Sequence, residues 1–158
     1  MGEIRRTDGQ RYDYISHIPL DGQLNESTIR FDESSKMYVM IRREAGDKMG
    51  KLAIANPPYV DDLTWQLRGA NLLFLSENHL FMGSRFNQKE GAKTGLFITD
   101  LQGVVSNTIA LPSGRDNSYP RMVIRDGKLI VAYYSSHEGK SSIYLAKIPS
   151  ALLQAKGD

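Results

Sequence analysis

Two arginines, Arg42 and Arg85, occupy matched places in a repeating sequence, and Glu26 and Tyr119 open two of its repeat units. An arginine guanidinium is a planar fork of donors that keeps its charge at any physiological pH. Two of them at equivalent positions can close on one anion from two sides. Glu26 and Tyr119 are 93 residues apart, yet equivalent positions of successive repeats can face one shared pocket. The competing reading puts both arginines at strand ends, paired with local acids such as Glu44.

The repeat supplies the elements that position these residues. Segments opening at Asn25-Glu26-Ser27, Asn71-Leu72-Leu73 and Ser118-Tyr119-Pro120 are 46 and 47 residues apart, which makes Glu26, Leu72 and Tyr119 equivalent. A second strand follows in each unit, at Lys36 to Glu44, His79 to Asn87 and Lys128 to Ser136, and aligns Arg42, Arg85 and Tyr134. Third strands align at Lys51 to Asn56, Gly95 to Asp100 and Ser142 to Lys147. These runs are rich in Val, Ile, Leu, Phe and Tyr and end in Gly, Asn, Asp or Ser, as strands joined by tight turns do. Fourth strands are expected at Thr64 to Leu67 and Val104 to Leu111, and a short helical tail at Ala151-Leu152-Leu153.

A period in the forties with several strands per unit is that of a β-propeller blade. The fold expected is all-β, of propeller type, with about three four-stranded antiparallel blades at 20–68, 69–112 and 113–149 in a single domain, 1–158. A closed ring of this kind takes about twice that number of blades. The third unit lacks a fourth strand, and the strand at Tyr12 to Ile18 has no blade of its own. A strand from one end of a chain can finish a blade at the other and remove an open sheet edge.

Composition narrows the function classes. The net charge is +2, with 18 acids balancing scattered Lys and Arg, and without a basic stripe nucleic-acid binding is not expected. There is no cysteine, so disulfides and thiolate metal sites are ruled out and the compartment stays open. His17, His79 and His137 lie 62 and 58 residues apart, so no metal cofactor is expected. Met1 to Gln10 is polar and charged, and the longest apolar stretch, Leu129 to Tyr134, is too short to span a bilayer. No phosphate loop, dinucleotide fingerprint or nucleophile elbow occurs.

The order Glu26, Arg42, Arg85, Tyr119 resembles the C-terminal half of the sialidases, six-bladed propeller exo-glycosidases with BNR-type repeats. The phrases Ser118-Tyr119-Pro120, Asp126-Gly127-Lys128-Leu129 and Tyr133-Tyr134-Ser135-Ser136-His137-Glu138-Gly139 carry the likeness. The resemblance implies that Tyr119 is the nucleophile, Glu26 the base that takes its proton, and Arg42 and Arg85 two of three arginines on the sialic acid carboxylate. It also matches Glu138 to a glutamate supporting the third arginine. A sialoside bears a carboxylate on the carbon to be attacked, so a neutral phenol meets no like-charge repulsion there, and sialidases are a known exception to the two-carboxylate rule. A free phenol has a pKa of about 10 and needs a base in reach.

The family's aspartate acid and third arginine come from an N-terminal half with no counterpart here. The Asp-box survives only as Asp61-Asp62-Leu63-Thr64-Trp65, with Trp65 read as a packing residue. Expected partners are a sialoside-like glycan and a second copy completing the ring, the chain otherwise being half of a longer propeller of extracytoplasmic kind. The alternative function is a carbohydrate-binding or interaction module without catalysis.

Overall fold

Strict alternation of burial marks the most regular strand. In β12 (Lys128–Ser135), Leu129, Val131, Tyr133 and Ser135 are buried while the residues between them are more open, so one face meets the core. By contrast, β4 (Met37–Arg43) is buried at nearly every position, because its sheet is covered on both sides.

The computed structural model describes residues 2–7, 9–48, 50–56, 59–65 and 68–153. The remaining strands are β1 (Gly2–Thr7), β2 (Tyr12–Ile18), β3 (Leu24–Phe31), β5 (Gly50–Asn56), β6 (Tyr59–Trp65), β7 (Arg68–Phe74), β8 (His79–Gln88), β9 (Gly91–Asp100), β10 (Val105–Ala110), β11 (Asn117–Arg125) and β13 (Ser142–Ile148). A 3-10 turn, Ser150–Leu152, follows where a helical tail was expected.

The protein is all-β. Three antiparallel meanders, β3-β4-β5-β6, β7-β8-β9-β10 and β11-β12-β13, correspond to the three repeat units. The β11–β12 hairpin turns on Asp126 and Gly127, at φ of 51° and 67°, the two left-handed residues that a tight hairpin of matching twist requires. The sheets stack in chain order, with β3 packed on β7 and β7 on β11. Tyr38, Met40, Leu52 and Ile54 of the first sheet meet Leu72, Leu80, Met82 and Phe97 of the second. On the second sheet's other face, Phe81, Leu96 and Ile98 meet Met122, Leu129, Val131 and Tyr133 of the third.

Two expectations change. The strand at Tyr12–Ile18 does not finish the third sheet; it forms a hairpin with β1, which composition did not suggest. Just beyond that hairpin, Leu20 joins Ile18 in covering Met37, Val39 and Ile41 on the outer face of the first sheet. The third strands are also not in the register read from sequence. Met40, Gly83 and Ala132 pair with Leu52, Leu96 and Leu145, so β13 is displaced by two residues. Alternation looks the same after a two-residue slip, and only cross-strand pairing distinguishes the two registers.

Candidate functional site

Each sheet carries a bulge at the start of its first strand: between Leu24 and Ser27, between Arg68 and Asn71, and between Ser118 and Arg121. A bulge leaves a residue unpaired and re-aims its side chain. Glu26 and Tyr119 are such residues, and the pairing of Arg85 with Arg68 puts Gly69 at the matching place of the middle sheet. Leu72, equivalent by the sequence reading, is instead a fully buried core residue. The slip arose because Asn71 resembles Asn25. Its actual role is a tie: its Oδ1 accepts from Arg30 Nη2 at 3.2 Å and from the Leu72 amide at 2.8 Å.

Across that middle place the outer sheets meet. The Tyr119 hydroxyl donates a hydrogen bond to Glu26 Oε1. Arg42 Nη1 lies 3.1 Å from Glu26 Oε2 and its Nη2 2.6 Å from Glu44 Oε1. Glu26 thus bridges a phenol and a guanidinium, and the expected pairing of Arg42 with Glu44 is present as well. Asn25 Nδ2 donates to the same Glu44 oxygen at 3.3 Å. Arg42 Nε is buried without a hydrogen-bond partner among the described residues, an unsatisfied donor of the kind that calls for a ligand or water.

Arg85 stands apart from this group. Its Nη1 is 3.5 Å from Asp116 Oδ1, which also accepts from the Tyr134 hydroxyl at 2.7 Å. The Tyr134 ring stacks on Tyr119, with centroids 6.0 Å apart, and so links the two arginine clusters. Asp116 escaped the sequence reading because it precedes β11 and has no place in the alternation. The loop that carries it is held by buried polar groups: Asn117 accepts from Thr94 Oγ1 at 2.8 Å and donates to Ala92 O at 2.9 Å, and Ser113 Oγ accepts from the Thr94 amide at 2.8 Å.

Tyr119 has a φ of 53°, in the left-handed region where a bulky residue is an outlier that the surroundings must enforce. Its phenol is pushed above the usual range, first by the hydrogen bond to Glu26 and then by burial, with the Arg42 charge pulling the other way. The phenol therefore stays protonated at neutral pH, aimed at the carboxylate that can take its proton. At Arg42 burial works against the charge, but the Glu26 hydrogen bond and the charges of Glu44 and Glu26 outweigh it, so its pKa is raised.

Burial, and then the hydrogen bond to Asp116, push Tyr134 up to about 12. The folded pKa lies above the unfolded value of about 10, so this stabilisation is complete below pH 10 and lost as pH rises toward about 12. Between those limits the urea midpoint of the wild type should fall more steeply than that of Tyr134→Phe; equal slopes would show that Tyr134 titrates normally.

Other candidates lie elsewhere. Glu138 accepts from Tyr144 at 2.9 Å, and His137 Nδ1 is 2.9 Å from Ser135 Oγ. The side chains of Asp61 to Trp65 lie outside the described residues. An open groove of about 700 Å³, lined by Phe31, Asp32, Glu33, Phe74, Leu75 and Glu77, sits at the opposite ends of β3 and β7. At about 3.3 Å per residue that is roughly 20 Å from Glu26. Volume and chemistry disagree here, and the acid, phenol and arginine cluster is the better candidate because its groups converge.

The class defined so far is an all-β protein of stacked antiparallel meanders with a glutamate, tyrosine and arginine cluster built on strand bulges. No family model matches the chain, and no curated protein matches it. Among solved structures, a crystal structure of a protein of unknown function from Dyadobacter fermentans DSM 18053 is similar over 92% of this chain, with a TM-score of 0.76 and 16% identity. The chain spans 44% of that protein's length. At this identity the likeness is one of fold alone.

Proposed function

We propose that the three sheets are consecutive blades of a sialidase-like six-bladed β-propeller, and that the cluster acts on a terminal sialic acid or similar acidic sugar. The single observation that carries this reading is the hydrogen bond from Tyr119 to Glu26, which joins the third sheet to the first. The 44% share of a longer protein of like fold agrees with a half-propeller. In the proposed step Tyr119 Oη attacks the anomeric carbon as the bond to the leaving oxygen breaks, and the phenol proton passes to Glu26 Oε1. The leaving oxygen keeps the bonding pair and takes a proton from an acid, and water later hydrolyses the sugar–tyrosine adduct. Arg42 and Arg85 hold the substrate carboxylate, which must displace Glu44 and Asp116.

A second reading is a carbohydrate-binding module without turnover. It is favoured by the engagement of Glu26, Glu44 and Asp116 by arginine or tyrosine. That leaves none of the three to protonate a leaving group. Titration calorimetry with free sialic acid tests what the two readings share. Saturable binding is expected, weakened about 10- to 100-fold in Arg42→Ala, since a hydrogen bond to a charged group contributes roughly 1.5–3 kcal/mol. Unchanged binding in that variant would remove the carboxylate site. Release of product from a fluorogenic sialoside separates the enzyme from the module.

A further inference from the structure

The groove at the far ends of β3 and β7 combines exposed aromatic surface with charge of a single sign. Its apolar lining is Phe31, which is 59% exposed, with half-buried Phe74 and Leu75. The Phe74 ring stands edge-on to Tyr38, with centroids 5.2 Å apart, so that wall is formed before any ligand arrives. Every charged side chain in the lining is an acid: Asp32 and Glu33 come from the β3–β4 turn and Glu77 from the β7–β8 turn. Asp32 is partly used by its own turn, where Oδ1 accepts from the amides of Ser34 and Lys36 at 2.9 Å. Glu33 and Glu77 have no such role, for neither carboxylate makes a hydrogen bond or ion pair among the described residues. Glu26, Glu44, Asp116 and Glu138, by contrast, are all engaged by arginine or tyrosine. Like charges gathered on apolar walls, with no cation in the lining, favour an occupant that brings the opposite charge.

We infer that this groove takes an extended peptide segment in which basic side chains alternate with apolar ones. Charge complementarity selects the basic residues, whose heads meet Glu33, Glu77 and Asp32. A cation over an exposed ring such as Phe31 gains further, and its methylene stem covers apolar surface. Size argues against a lone ion: about 700 Å³ is the volume of a drug-sized ligand, far more than a metal ion or a single ammonium fills. Spacing argues for a chain. The acids stand on hairpins of neighbouring sheets, which pack about 10 Å apart, so one ammonium cannot serve both walls. An extended chain turns alternate residues to the same side, so its apolar residues can lie on Phe31, Phe74 and Leu75 while long basic stems reach either rim. The attraction is local, because the whole chain carries a net charge of +2 and does not draw in basic peptides by its overall field. At roughly 20 Å from Glu26, the groove is independent of the proposed sugar chemistry.

Isothermal titration of the full chain with the acetylated, amidated peptide Lys-Leu-Lys-Leu-Lys tests this without reference to any activity. Saturable binding is expected, weakening as ionic strength rises because exposed charges are screened. Glu33→Lys with Glu77→Lys should weaken it at least about 10-fold. The circular dichroism of that variant should be unchanged, because neither carboxylate has a partner to lose. Phe31→Ala leaves every charge in place and should weaken binding about threefold. Glu90→Lys, an exposed acid beyond the opposite end of β8, should leave the affinity as it is. Absence of binding, or binding that the double lysine variant leaves intact, would overturn the inference. Full affinity in Phe31→Ala would reduce the groove to a diffuse acidic surface. Equal binding of Glu-Leu-Glu-Leu-Glu would show unselective apolar adhesion, and equal binding of n-butylammonium would put a small cation in place of the peptide; either result overturns the peptide site.

Discussion

Tyr119→Phe is expected to abolish covalent labelling by a sialosyl fluoride that carries a second fluorine on the neighbouring carbon. Fluoride leaves without being protonated, so this reagent needs no general acid and interrogates only the nucleophile and its base. The second fluorine destabilises the oxocarbenium-like transition state through which the adduct would hydrolyse, so the adduct persists long enough for peptide mass mapping. Under the proposed function the Tyr119 oxygen would bond the anomeric carbon as the carbon–fluorine bond breaks, fluoride would depart, and the phenol proton would go to Glu26. Phenylalanine keeps the ring on Tyr134 and loses one hydrogen bond, from a side chain already 42% exposed. The fold should therefore survive. Glu26→Gln, which can accept the hydrogen bond but not the proton, should slow labelling by roughly 10²- to 10⁴-fold, the usual scale for a general base. An adduct that still forms in Tyr119→Phe would remove the tyrosine from the chemistry. A wild type that binds sialic acid but never labels would be the non-catalytic module.

How much of this was legible before the fold was known depends on whether a feature is local. The three meanders could be read because period-2 alternation and turn residues are local signals, strongest in Lys128–Ser135. Strand β1, Gly-Glu-Ile-Arg-Arg-Thr, has no apolar alternation and forms through pairing with β2, a tertiary event. Arg42, Arg85, Glu26 and Tyr119 could be singled out by type and repeat position, and three of them converge. What joins Arg85 to them, Asp116 under the Tyr134 hydroxyl, is a contact between a loop and two sheets with no spacing rule behind it. The bulge register was equally hidden. Gly69 rather than Leu72 matches Glu26 and Tyr119, and only the pairing of Arg68 with Arg85 reveals it.

Gly83→Ala should damage the site from the far side of a sheet contact. A Cβ at Gly83 would lie 2.7 Å from Pro120 Cγ and 3.2 Å from Pro120 Cβ, with Met122 Cε at 3.3 Å. The methionine tip can swing away, but the proline ring cannot, so β8 and β11 must separate. Pro120 follows Tyr119 directly, and that tyrosine is held left-handed in the bulge with its hydroxyl on Glu26. The displacement therefore reaches the phenol, and labelling should fall at least about 10-fold. Overpacking of this kind typically costs about 1–3 kcal/mol, which a urea midpoint resolves. Pro120→Ala removes the ring that the new methyl meets, so the double variant should recover stability and labelling relative to Gly83→Ala alone. The two changes should then couple rather than add, as expected of residues in direct contact. Simple additivity would mean that the strain escapes through the rest of β8, and that the close approach of Gly83 to Pro120 does not set the position of Tyr119.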